Sequence, residues 1–145
     1  MLRRLVLATL APLAVTAAAS GGGLGALPPL PLFSVPDSLT IVVADAGSTE
    51  ADGTFRLECE GTPGGTHPAA GNACKKLAEF AAAGVNPFAP VPKDQMCTQQ
   101  YGGPATAHVT GDWQGRSIDA RFSRANGCEI GRWDDLRPVL PRVQG

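Results

Sequence analysis

The period of the apolar positions changes along this chain, and each change marks an element. In "SLTIVVADA" the run from Leu39 to Val43 is β-branched and almost continuously apolar, which predicts a strand buried on both sides and central in a sheet. After the turn-rich break "GSTEADG", the stretch "TFRLEC" alternates. Phe55, Leu57 and Cys59 face inward and Arg56 and Glu58 outward, so a half-buried strand ends on a core-facing cysteine. The spacing then becomes helical in "AAGNACKKLAEFAAAGVNP", with Leu77 and Phe80 among alanines and a stop at Gly84. Alternation returns in Ala105, Ala107 and Val109, and again in Ile118, Ala120 and Phe122, a hairpin whose turn is predicted at Gly111 and Asp112. In "ANGCEI", Asn126 and Glu129 have the spacing of a capping box, which predicts a short helical turn carrying Cys128. Mostly antiparallel strands with helices packed on them make an α+β two-layer sandwich.

Composition adds the flanks. "MLRRLVLATLAPLAVTAAA" places Arg3 and Arg4 before an apolar run that closes on small residues, the order of a secretory signal peptide over residues 1–19. Its apolar run is short and holds a proline, and nothing later is longer, so no membrane span is expected. Residues 20–37 contain "GGGLGALPPLPLFSVP", a glycine- and proline-rich leader or linker without a period. The remaining 38–145 has the size of one domain. Of 12 basic and 13 acidic residues, Arg3 and Arg4 leave with the signal, and the mature chain is expected to be secreted with a small negative charge. With no basic cluster, nucleic acid is not an expected partner.

Four cysteines, at 59, 74, 97 and 128, remain after the signal, and an even number in a secreted chain predicts two disulfides. Three pairings are open to them. Joining Cys59 to Cys74 would staple a strand end to the first helical turn for roughly 3 kcal/mol; joining Cys97 to Cys128 would anchor an irregular, proline-rich stretch to the far end of the hairpin. No C-x-x-C spacing is present and only His67 and His108 could add ligands, so neither a metal nor any cofactor is expected. His67, in "THP", reads as a turn residue, and His108 as exposed on the outward strand face. Trp113 is expected to cover apolar surface near the hairpin turn, while the pattern leaves Trp133 undecided between core and surface. No Ser, His and Asp arrangement, phosphate loop or carboxylate pair is marked out, so the chain does not read as an enzyme.

"CEGTPGGTHPAAGNAC", "MCTQQY", "GDWQG" and "SRANGCEI", in this order and spacing, resemble the Streptomyces subtilisin inhibitor family of secreted serine protease inhibitors, over about Ser38 to Pro141. The resemblance implies disulfides Cys59–Cys74 and Cys97–Cys128, a five-stranded antiparallel sheet with two helices on one face, and a homodimer with Trp113 near its contact. It also implies that the loop after the third cysteine is offered to a subtilisin-like protease as a false substrate. Carried over residue by residue, the reactive bond joins Gln99 to Gln100, with Met96, Cys97 and Thr98 before it and Tyr101 after it.

Two departures bear on that expectation. Relatives often carry Lys or Met at the position of Gln99; an amide there would leave the buried carboxylate of a trypsin-like pocket unpaired, which predicts subtilisin-like targets over trypsin. Relatives also tend to have Asp-Pro after the tyrosine, where this chain has "YGGP", and two glycines predict a looser leaving side. Adjacent Gln99 and Gln100 raise an alternative from another class, an acyl-donor glutamine for a secreted transglutaminase. That role needs a mobile glutamine, whereas inhibition needs a rigid one.

Overall fold

The structure, a computed structural model, describes residues 35–144. The expected signal peptide and all but the last residues of the leader lie outside the described residues. Five strands form one antiparallel sheet in the order β3-β2-β1-β4-β5: β1 Ser38–Ala44, β2 Gly53–Glu58, β3 Gly64–Gly65, β4 Thr106–Trp113 and β5 Arg116–Phe122. Helix α1 spans Ala70–Ala82, and α2 spans Gly127–Asp135.

Register explains the core. Ile41 stands opposite Phe55 on one side and Val109 on the other, and Val109 stands opposite Ala120, so the inward residues form a continuous apolar patch. Leu39, Ile41, Val43, Leu57, Val109 and Phe122 are buried there beneath Ala73, Cys74 and Leu77 of α1 and Trp133 of α2. Both helices therefore cover the same face.

The opposite face is open, and this corrects the expectation that β1 is buried on both sides. β1 is central, but Val42 is 44% exposed. A continuous apolar run records β-propensity as well as burial, and here it overstated burial. On this face His108 is half-buried, and its Nε2 lies 2.6 Å from Asp119 Oδ1 on the neighbouring strand.

The hairpin turn is also displaced from the expected position. β4 continues through Gly111 and Asp112 to Trp113, and the turn falls at Gln114 and Gly115. Gly111 serves the sheet interior instead: at φ +133° it brings its backbone against β1, where a Cβ would run into the Ser38 carbonyl.

Both disulfides are formed as the resemblance implied, Cys59–Cys74 and Cys97–Cys128, each with Cα atoms 5.3 Å apart. His67 braces the start of α1. Its Nδ1 accepts the Ala69 N–H at 3.1 Å and its Nε2 donates to the Val139 carbonyl at 2.9 Å, so one imidazole ties the helix to the chain's last segment. That segment was not read from the sequence. Leu136, Val139 and Leu140 are fully buried, and the Trp133 indole N–H donates to the Pro141 carbonyl at 2.9 Å, which settles Trp133 as core.

Candidate functional site

Between α1 and β4 the chain runs without regular structure, and its residues explain why. Pro87, Pro90 and Pro92 lack the N–H that a helix or ladder needs. The run is nevertheless fixed where it begins: Asn86 Oδ1 accepts the Phe88 N–H at 3.0 Å, and the buried Phe88 ring packs edge-on against Trp113 with centroids 5.4 Å apart. The start of the loop is thus nailed to the end of β4.

From there the chain rises to an exposed ridge. Met96 is 95% exposed and Tyr101 68%, and Thr98, Gln99 and Gln100 between them are exposed as well. Cys97 is half-buried because its disulfide reaches down to Cys128 in the first turn of α2. That helix start is built by the capping residue the sequence marked: Asn126 Oδ1 accepts the Glu129 N–H at 3.0 Å. The first N–H of the helix, on Gly127, has no partner within α2 and donates instead to the Thr98 carbonyl at 3.0 Å. A helix terminus and a disulfide thus fix the incoming side together.

Three bonds fix the outgoing side. The Gly102 N–H donates to the Arg124 carbonyl at 2.7 Å, and the Arg124 Nε–H returns a bond to the Gly102 carbonyl at 3.0 Å. Arg124 is itself held by Asp134, with Nη1 to Oδ1 at 2.9 Å. The glycines of "YGGP" therefore do not loosen this side. A Cβ on Gly102 would come within 2.8 Å of the Ile130 side chain, and Gly103 takes φ +100°, so the pair permits close approach to α2 and then a change of direction toward β4.

Thr98 to Tyr101 is the part of this arrangement that can meet a partner. It offers two amides, a hydroxyl and a phenol, with no charge of its own and no nucleophile paired to a base. Among the described residues no group of three or more His, Cys, Asp or Glu side chains converges. The geometry suits presentation of an extended peptide. Sequence reasoning marked Met96 to Tyr101 but missed Arg124, Gly102 and Gly127, because a bond from a side chain to a distant carbonyl leaves no period in the sequence. An arginine two residues before a helix cap, with two glycines following an exposed tyrosine, was the available signal.

Residues 35–126 match the model of the subtilisin inhibitor-like family. The chain belongs to that family. The match closes at Asn126, so all of α2, with Cys128, lies just beyond it, joined to the matched part by the second disulfide. Among curated relatives of this subtilisin inhibitor-like chain, a subtilase-type protease inhibitor of Streptomyces fradiae is 35% identical over 96 residues, covering 64% of this chain and 66% of the relative. One of Streptomyces coelicolor is 38% identical over 97 residues, covering 64% and 65%. The chain thus spans just under two thirds of the length of these two relatives. A solved structure of Streptomyces caespitosus sermetstatin, in complex with Bacillus licheniformis subtilisin, is similar with a TM-score of 0.43 and 23% identity, covering 70% of this chain and 93% of that one.

Proposed function

We propose that this chain is a secreted, non-enzymatic inhibitor of subtilisin-like serine proteases that inserts Thr98, Gln99, Gln100 and Tyr101 into the active-site cleft as a slowly cut substrate, with Gln99–Gln100 as the reactive bond. The observation that carries this reading is the exposed ridge held on both sides, by Cys128 and Gly127 before Gln99 and by Arg124 after Gln100. An extended segment with free edges can pair with the main chain of a cleft and seat alternate side chains in its subsites. Holding it in shape beforehand removes much of the ordering cost, about 0.5 to 1.5 kcal/mol for each side chain immobilised.

Preorganisation also explains why the loop would inhibit and not simply be consumed. When the protease serine attacks the Gln99 carbonyl, the Gln100 amine leaves but remains tethered beside the acyl-enzyme at high effective concentration, and resealing outruns hydrolysis. The same anchors weigh against the transglutaminase reading, which needs Gln99 or Gln100 to be mobile. The homodimer that the resemblance implies belongs to this proposal, and sedimentation equilibrium checks it.

Active-site-quantified subtilisin and trypsin titrated with the mature protein, followed by mass spectrometry of any cleaved chain, test the reading. Tight subtilisin inhibition with slow cleavage between Gln99 and Gln100 is expected. Failure to inhibit either protease, with the chain intact or cut elsewhere, would overturn it.

A further inference from the structure

The two sides of the exposed ridge are held by different means, and the difference matters once the reactive bond is cut. Before Gln99 the chain is secured covalently within two residues, at Cys97. After Gln100 no covalent link intervenes before β4 begins at Thr106, and two glycines lie in that interval. Arg124 occupies this gap. Its side chain is only 15% exposed; it bonds the Gly102 carbonyl through Nε and Asp134 through Nη1, and its guanidinium carbon lies 6.0 Å from the centroid of the Trp133 ring. Its own carbonyl accepts the Gly102 N–H, so both backbone groups of Gly102 close on one residue.

We propose that Arg124 is the positioning residue for the leaving segment, confining the free chain after cleavage to Gln100 and Tyr101 so that the new amine stays beside the acyl-enzyme; this rests on the inhibitor reading above. In the step it serves, the Gln100 amine attacks the Gln99 carbonyl carbon of the ester to the protease serine. The C–N bond re-forms, the C–O bond to serine breaks, and the amine proton returns to the serine oxygen through the protease's own base. Water attacking the same carbon leaves a Gln99 carboxylate and a nicked chain. Which attack wins depends on the local concentration of amine, and the length and stiffness of the tether set that concentration. Arg124 shortens the tether. Asp134 and Trp133 keep the guanidinium plane aimed at Gly102, a geometry that a lysine ammonium cannot reproduce at both partners.

Arg124→Ala and Arg124→Lys test this in two measurements. In the isolated protein, Arg124→Ala keeps the main-chain carbonyl that accepts the Gly102 N–H but loses the charged Nε–H donor to the Gly102 carbonyl. Opening of this pair becomes easier, so amide hydrogen exchange at Gly102 should quicken about tenfold or more, while exchange at Gly127 and in β1 stays as it was. With subtilisin, the equilibrium ratio of nicked to intact chain, approached from either side, should rise by a similar factor without a change in the association rate constant. Arg124→Lys, which keeps the charge and the aliphatic stem, should lie between wild type and alanine in both measurements. A purely structural role would quicken exchange at Gly127 and in β1 equally, and that result, or an unchanged nicked-to-intact ratio, would overturn the proposal. A wild-type chain that neither inhibits nor is cut at Gln99–Gln100 would sink the inhibitor reading and the resealing role with it. Gly102 exchange would still show whether Arg124 holds the loop.

Discussion

Gln99 is exposed and uncharged, and the chain is anchored at Thr98 before it and at Gly102 after it; on the proposed reading its side chain would decide which pocket accepts the loop while the backbone stays the same. Replacing it by lysine should shift inhibition toward trypsin, since an ammonium supplies the partner that a trypsin-like pocket carboxylate lacks. An unpaired buried charge costs about 2 to 5 kcal/mol, so the gain in trypsin affinity should exceed tenfold. Unchanged trypsin inhibition by Gln99→Lys would count against Gln99 as the pocket residue. A second single-residue prediction concerns stability. Gly111→Ala puts a Cβ against the Ser38 carbonyl at a backbone angle that glycine favours, and should lower unfolding stability by about 2 kcal/mol or more, visible as a drop in Tm of several degrees. Sequence alone took Gly111 for a turn residue because a glycine beside an aspartate is the usual sign of a hairpin. Close approach of two strands selects glycine for another reason, and one sequence does not separate the two.

At the scale of elements, the sequence carried α1, the Asn126 cap and the inward residues of four strands, because each imposes a period or a fixed offset on neighbouring positions. It did not carry β3, whose two glycines have no side-chain pattern, or the buried Leu136–Leu140 segment, which makes no regular strand and too short a turn for a period. It also overstated β1, since alternation is masked when β-branched residues occupy the exposed face. That exposed face has its own chemistry. The hydrogen bond with His108 holds the Asp119 carboxyl below its ordinary range, with the charges of His108 and Arg121 adding to the effect and desolvation opposing it. A carboxylate whose pKa is depressed by folding contributes stability that is present above its unfolded value and lost as pH falls through the folded one. The contribution should therefore fade below about pH 4. Denaturation midpoints measured against pH should show a steeper loss in that window for wild type than for Asp119→Asn, and superimposable curves would show that the pair contributes nothing measurable at this exposed site.

For the molecule as a whole, the two disulfides have separable duties, and this separation links stability to function. Cys59–Cys74 ties the end of β2 to α1 beside the core, whereas Cys97–Cys128 joins an exposed loop to the start of α2. Each constrains the unfolded chain, and removing the second, which closes a separation of 31 residues, should cost roughly 3 to 4 kcal/mol on the chain-entropy model. The sheet, α1, the His67 brace and the first disulfide do not pass through Cys97. The paired variant Cys97→Ser, Cys128→Ser should therefore remain folded at moderate temperature, with its core amides still protected from exchange. Beside Gln99 its loop would be held on the incoming side by the Thr98 to Gly127 bond, worth about 1 kcal/mol net, with the Phe88 anchor about ten residues upstream. If the proposed function holds, subtilisin should then cut this variant rapidly between Gln99 and Gln100, turning the proposed inhibitor into a substrate without loss of its fold. Equal resistance to cleavage in the folded variant would mean that backbone anchors alone set the loop, and the disulfide would be left with a role in stability only.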